Sequence, residues 1–293
     1  MKLITYRQGG QTNIGAVVDD KVIPLGGASA SGAALPKDMI EFLKLGDAGL
    51  ATARQIVKTG ANAVALSAVD LMSPIPRPPK IMMGGRNYLA HVTELRAKTQ
   101  VYKDVPVPKF PRIFAKYATA VNAHGKPARQ PAISNDVDFE GELSLVICKD
   151  ARNVSKEDAY DYIGGYTIVN DVTARDIQEM DELTLSKSFE GFCPIGPWIV
   201  TKDEIPDPHK LLVRTYVNDR LLMENSTSTM LHDIPTFVSF LSHQFLLEAG
   251  DIITTGSPPG PGKFLEPPLT PKPGDTMHVE VEGIGRLSTP LSA

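Results

Sequence analysis

Cysteine is nearly absent from this chain, which carries only Cys148 and Cys193. Two cysteines cannot build a disulfide framework or a four-cysteine zinc site, so small secreted scaffolds and zinc modules are set aside. Clustered positive charge is missing as well. The formal net charge is −4, and the lysines and arginines are scattered among acids. No basic run tracks phosphates, so nucleic acid is not an expected partner. Apolar stretches are broken by charge or glycine well before the ~18 residues that a membrane span needs. The first residues, MKLITYRQGG, show neither an apolar h-region nor a small-residue cleavage site. The expectation is a cytoplasmic protein without membrane association.

Several catalytic signatures are lacking too. There is no G-x-S-x-G, and His232-Asp233 precedes a helix, where aspartate is expected as the cap, so Ser-His-Asp hydrolysis fails. The loop TTGSPPGPG (254–262) exposes backbone N–H groups that could bind an oxyanion or carboxylate. It is not a P-loop, because no G-K-[ST] ends it. Gly283-Ile-Gly285 opens no helix and is no dinucleotide fingerprint.

What is present is ordinary globular composition: 293 residues, 42% hydrophobic and 22% charged, enough for one large domain with or without a small one. Glycine and proline number 24 each and cluster at 73–79, 194–197 and 256–274. Such punctuation between short apolar runs favours strands and turns. Residues 1–25 read as a β-meander. Asp38 to Leu45 and Leu50 to Lys58 read as helices split by Gly46-Asp47. The segment 73–79, with prolines at 74, 76, 78 and 79, is a stiff connector. The expected organisation is a small N-terminal α/β subdomain over 1–72, the connector over 73–79, and a β-rich domain over 80–293. In that domain IMMGGRNY reads as a strand running into a turn, and Asn87 to Lys98 as a helix. GELSLVIC, GYTIVND, PWIVT, LLVRTYVN, DIITTG and MHVEVEGIG read as strands, interrupted by a helix over Ile234 to Phe245. The class is α+β, β-rich, a roll or barrel.

The chemistry concentrates in D-F-E-G-E-L-S-L-V, from Asp138. Residues two apart in a strand share a face, so Glu140 and Glu142 project to one side. Two buried carboxylates repel, and a cation between them removes the problem. Asp171 closes the apolar run Ile168-Val169-Asn170. Such a hard-oxygen set favours Mg²⁺ or Mn²⁺, with Ca²⁺ as an alternative, over zinc. By itself E-x-E is more often a solvated strand face.

His91 and Glu94, three apart, are neighbours on one helix face, where the carboxylate can orient the imidazole as a general base. Alone, that spacing is usually a surface ion pair. Gly84 and Gly85 read either as a lid hinge or as an ordinary tight turn. Lys187, Arg86 and Lys116 could hold a substrate carboxylate, and for Lys116 a snorkelling surface side chain is the favoured reading. Arg175 and Asp176 read equally as a structural pair bracing the Asp171 strand and as catalytic groups.

Together these segments resemble the fumarylacetoacetate hydrolase superfamily. The resemblance is carried by R-N-Y-x-x-H-x-x-E (86–94), F-x-K (114–116), V-D-F-E-G-E-L (137–143), N-D-V-T-A-R-D-I-Q (170–178), K-S-F (187–189), T-G-S-P (255–258) and the closing P-G-D…E-G-I-G, in that order. It implies a mixed β-sandwich roll with a small N-terminal subdomain, a homodimer, and a role in aromatic catabolism. It implies that Glu140, Glu142 and Asp171 ligate Mg²⁺ or Mn²⁺ and that His91 with Glu94 activates water on a lid. Lys187 corresponds to the family's active-site lysine, and Thr255, followed by Gly256, to the loop near the substrate carboxylate. Arg86 and Tyr88 are further expected substrate contacts. Ser257 stands where the family motif has a second threonine, and the run after Lys116 departs from the usual pattern.

The expected activity is metal-dependent hydrolysis of a carbon–carbon bond in an acylpyruvate-type 2-oxo acid, by way of a metal-stabilised enolate. A decarboxylase, isomerase or hydratase of 2-oxo diacids shares that enolate logic and is the alternative. A non-catalytic 2-oxo-acid binder is the third, disfavoured because a binder needs no His–Glu pair.

Overall fold

A computed structural model describes residues 1–28, 34–99, 103–180 and 182–293. Among these residues the backbone is organised around a 12-stranded sheet and a 5-stranded sheet. The large sheet runs, in spatial order, through Val64–Ala65, Lys21–Pro24, Gln11–Val18, Lys2–Gln8, Cys193–Thr201, Ile163–Asn170, Gly141–Ile147, Ile252–Thr254, Ile81–Gly85 and Arg112–Ala115. The N-terminal meander is therefore hydrogen-bonded into the same sheet as the rest, with Lys2 opposite Val200 and Leu3 opposite Ile199. The smaller sheet consists of Ala128–Arg129, Gly285–Ser292, Thr276–Val281, Leu212–Val217 and Arg220–Ser226. The whole is mixed α+β and strand-rich.

The central strand Gly141–Ile147 is buried at every residue, because both of its faces are covered. Leu143, Leu145 and Ile147 pack against Val213, Val279 and Leu287 of the smaller sheet and against Phe237 and Leu241. On the opposite face Val146 packs with Val169, Ile195 and Ile252 beneath Met39, Phe42, Ala53 and Ile56 of the N-terminal helices. Gly141 sets how closely the two sheets approach. A Cβ there would lie 2.7 Å from both Thr215 Cγ2 and Val279 Cγ1, which native packing does not accommodate without displacement. Gly84 does the same for the loop after Thr254, since a Cβ would stand 2.7 Å from the Thr254 carbonyl oxygen.

The helices start and stop for local reasons. Met39–Lys44 is capped by Asp38, which accepts from Ile40 and Glu41 N–H at 2.9 and 3.0 Å. The following helix, Gly46–Thr59, begins four residues before the sequence pattern suggests. Gly46 takes φ 55°, so the two helices join without an intervening loop. Ile234–Gln244 has Asp233 as its cap, accepting from Thr236 N–H at 2.8 Å. The helix Leu89–Lys98 starts two residues later than expected. Arg86 adopts a left-handed φ of 54° and Tyr88 is extended, so the chain turns before it coils. Gly84 and Gly85 end the strand Ile81–Gly85, paired with Arg112–Ala115. No helix of the described residues is long and apolar enough to cross a membrane.

Candidate active site

The strand Gly141–Ile147 lies antiparallel to Ile163–Asn170 with Gly141 opposite Asn170 and Glu142 opposite Val169. Continuing that register one step brings Glu140 beside Asp171, and the Asp171 N–H donates to the Glu140 carbonyl at 2.8 Å. Glu142 follows on the same face. The result is that Glu140, Glu142 and Asp171 offer carboxylate oxygens all within 4.8 Å of one another, and all three residues are buried.

Their charges are compensated unequally. The Lys187 ammonium donates to Glu140 Oε2 at 2.8 Å, Asp171 Oδ2 at 2.7 Å and the Thr173 hydroxyl at 2.7 Å. Lys116 donates to Asp171 Oδ1 at 2.6 Å and to the Val172 carbonyl at 3.2 Å. Arg175 bridges Glu140 Oε1 and Asp138 Oδ2, both at 2.8 Å. Burial by itself would raise the Glu140 carboxyl, but Lys187 and Arg175 hold it well below the usual range. Glu142 has the Gly256 N–H, at 3.1 Å, and the Thr254 hydroxyl, but no ion pair among the described residues. Burial, with the charges of Asp171 and Glu140, pushes its carboxyl well above the usual range. Four buried carboxylates, counting Asp138, thus face three cations. A small hard cation beside Glu142 supplies what is missing, and an all-oxygen donor set suits Mg²⁺ or Mn²⁺.

The opposite wall carries the helix Leu89–Lys98. His91 Nδ1 lies 3.2 Å from Glu94 Oε2, and the same oxygen accepts the Gly260 N–H at 3.2 Å. The imidazole meets the Phe264 ring edge-on at 6.0 Å. His91, Glu140, Glu142 and Lys187 all line one cavity of about 120 Å³.

The family description fumarylacetoacetate (FAA) hydrolase, C-terminal, matches residues 80–292. The chain belongs to the fumarylacetoacetate hydrolase family. Among curated relatives of this family, a mitochondrial oxaloacetate tautomerase of Xenopus laevis is 39% identical over 260 residues, covering 88% of this chain and 79% of that protein. The oxaloacetate tautomerase YisK of Bacillus subtilis is 37% identical over 306 residues, covering 99% and 100%. The fumarylacetoacetate hydrolase of Exiguobacterium antarcticum superposes with a TM-score of 0.82 at 31% identity, covering 100% of this chain and 99% of that one. Maleylpyruvate hydrolase from Sphingobium sp. SYK-6, solved with manganese(II) and pyruvate, gives 0.80 at 29% identity with the same coverage. The chain is accordingly an enzyme of the fumarylacetoacetate hydrolase family.

Against this family frame the expected substrate contacts divide. Arg86 lines the cavity; Tyr88, Thr255 and Gly256 are not among its lining residues. Tyr88 is fully buried, Thr255 donates its hydroxyl to the Leu143 carbonyl at 2.9 Å, and Gly256 holds Glu142. Ser257 reaches the wall instead.

Three readings of individual residues need correction. Lys116 is no surface side chain: it is 3% exposed and paired with Asp171. Arg175 does not pair with Asp176, whose carboxylate accepts the Ser134 hydroxyl at 2.6 Å and the Asn135 N–H at 3.0 Å. The glycine-rich loop spends most of its N–H groups on the protein's own carboxylates. Gly256 donates to Glu142, Gly260 to Glu94, and Gly262 and Lys263 to Asp138. Asp138 was missed as a site residue, although it precedes Glu140 by two, the spacing that singled out Glu142. Phe264 was missed for want of any local signal.

Proposed function

We propose that this enzyme catalyses keto–enol proton transfer on a 2-oxo diacid of the oxaloacetate type. The observation that carries the reading is that His91, held by Glu94, lines one cavity with Glu140 and Glu142, which cluster with Asp171. Glu140, Glu142 and Asp171 would hold Mg²⁺ or Mn²⁺, which when bound supplies Lewis-acid stabilisation of negative charge on the substrate's keto oxygen. His91, oriented by Glu94 at Nδ1, takes the proton from the carbon next to the keto group through its other ring nitrogen; the keto oxygen gains a proton to give the enol, and the reverse reaction hands the proton from His91 back to carbon as the oxygen loses its own. Lys187 and Arg175 fix the Glu140 carboxylate, so that the donor set is in place before substrate arrives. The tautomerase names of relatives covering most of this chain support the choice of reaction.

Hydrolysis of an acylpyruvate is the second reading, and the same dyad favours it, since His91 can equally take a proton from an attacking water. Maleylpyruvate hydrolase among the structural neighbours points the same way. The two separate on products. With Mg²⁺ or Mn²⁺ supplied, decay of the ultraviolet absorbance of enol-oxaloacetate is expected to accelerate without release of a second carboxylate. His91→Ala is expected to slow it by about 10²–10⁴-fold while metal affinity stays unchanged. A wild-type protein inert toward oxaloacetate but splitting acylpyruvates into pyruvate and a carboxylate would transfer the assignment to the hydrolase. Undiminished turnover in His91→Ala would remove the dyad from either reaction.

A further inference from the structure

Five basic side chains line the cavity: Arg86, Arg112, Arg175, Lys187 and Lys263. Arg86 is not free, and three others are held by the protein's own acids. Arg175 holds Asp138 and Glu140, Lys187 holds Glu140 and Asp171, and Lys263 sits 3.0 Å from both Asp136 and Glu179. Arg112 is different. It is exposed at the cavity mouth, and among the described residues it forms no ion pair. It opens the strand Arg112–Ala115 opposite Gly85. Side chains two apart in a strand share a face, so Arg112 and Phe114 point the same way, and both line the cavity. The Phe114 ring in turn lies 5.2 Å from the Lys187 ammonium. One wall strand therefore runs from the carboxylate cluster at Phe114 to an uncommitted guanidinium at Arg112, about 6.5 Å further along.

The geometry points to Arg112 as the residue that recognises the far carboxylate of a short 2-oxo diacid, with Phe114 covering the carbon chain between its two ends. This rests on the reading above, in which the 2-oxo-acid end lies at Glu140, Glu142 and Asp171. A guanidinium presents a planar fork that matches a carboxylate with two parallel hydrogen bonds. Its place at the mouth lets it discriminate by tail charge without entering the proton-transfer chemistry. The small, open face of Gly85 beside it leaves that fork accessible: a Cβ at Gly85 would already touch Arg112 Cγ at 3.8 Å.

The test compares wild type, Arg112→Gln and Arg112→Lys in the metal-loaded enzyme. Two measurements are made on each: KM and kcat for enol-oxaloacetate, and the dissociation constant of oxalate, which has the chelating end but no far carboxylate. Arg112→Gln is expected to raise KM about 10- to 100-fold, with kcat changed by less than about threefold. Oxalate affinity should hold within about twofold. Arg112→Lys should recover a substantial part of the loss, because it restores charge without the fork. Unchanged KM in Arg112→Gln overturns the assignment. So does a parallel loss of oxalate affinity, which would mean that Arg112 acts on the cluster or the fold. A wild-type protein that neither binds oxalate nor turns over oxaloacetate overturns the reading of the site itself, and the Arg112 assignment with it.

Discussion

The two walls of the cavity are built differently. The carboxylate wall stands on adjacent strands in the middle of the large sheet, where the register of Gly141 with Asn170 places Glu140 beside Asp171. Its side chains are buried and cross-linked by Lys116, Arg175 and Lys187. The His91 wall is one helix of ten residues, Leu89–Lys98, held by its buried Val92 and Leu95 and by contacts from other segments: the Gly260 N–H on Glu94, Phe264 against His91, Lys98 on the Phe264 carbonyl and Glu266, and Arg96 on the Val105 carbonyl. A sheet register cannot be displaced by a fraction of a residue, whereas a docked helix can shift slightly at low cost. The comparison teaches that the Glu140, Glu142 and Asp171 cluster is fixed by sheet topology, whereas His91 is placed by the docking of a separate helix.

Three substitutions would break or sharpen that contrast. The largest effect is expected from Glu142→Gln. With the carboxylate gone, metal affinity and activity should fall by at least about a hundredfold, as read by calorimetric titration and turnover. Stability should move the other way in metal-stripped protein. The Glu142 carboxyl is raised well above its ordinary value in the fold, so folding with this group costs stability at neutral pH, and the cost shrinks as pH falls from the raised value and is gone below the ordinary one. Ion-free Glu142→Gln should therefore melt at least about 2 °C above ion-free wild type; an equal or lower melting temperature would show that Glu142 is already compensated.

On the helical wall, Glu94→Gln should lower activity about 10- to 100-fold, because the neutral amide can keep the contacts but cannot balance the positive charge that His91 acquires with the proton. Chemical denaturation should show a stability change below about 1 kcal/mol, and metal affinity should not move. A loss of metal binding in this variant would mean that the walls are not separable. The smallest effect is expected from Tyr88→Phe. The Tyr88 hydroxyl lies near Thr255, whose own hydroxyl is donated to Leu143, and it closes no hydrogen bond within the protein. Activity within about twofold of wild type is the expected outcome; a larger drop in kcat/KM would restore Tyr88 to the substrate-contact set.

The same contrast governs how much was legible beforehand. Strand identity around Glu142 and Asp171 shows in local apolar runs ended by acids, and His91 with Glu94 shows in helical spacing. The pairing of two strands thirty residues apart does not, because register is a property of the sheet and not of either strand. Lys116 looked like a surface lysine for the same reason: nothing near it in the chain announces Asp171. The loop 254–262 was recognisable as a row of donors, but the acceptors come from two other segments, 138–142 and the helix that carries Glu94. Arg86 entering left-handed backbone, and the later helix start that follows, had no local cue either. The short motifs at 86–94, 114–116, 137–143, 170–178, 187–189 and 255–258, with the closing P-G-D…E-G-I-G, carried the resemblance; the bonds that tie the elements together did not.

One consequence follows from the loop that gives its N–H groups to Glu142, Glu94 and Asp138. Because a single short segment steadies both Glu142 and the Glu94 partner of His91, any displacement of it would detune both at once, like a tensioning cable shared by two masts. Variation in what the enzyme accepts would then have to arise elsewhere along the rim, and random libraries that leave 256–263 untouched should yield far more functional clones than libraries that include it.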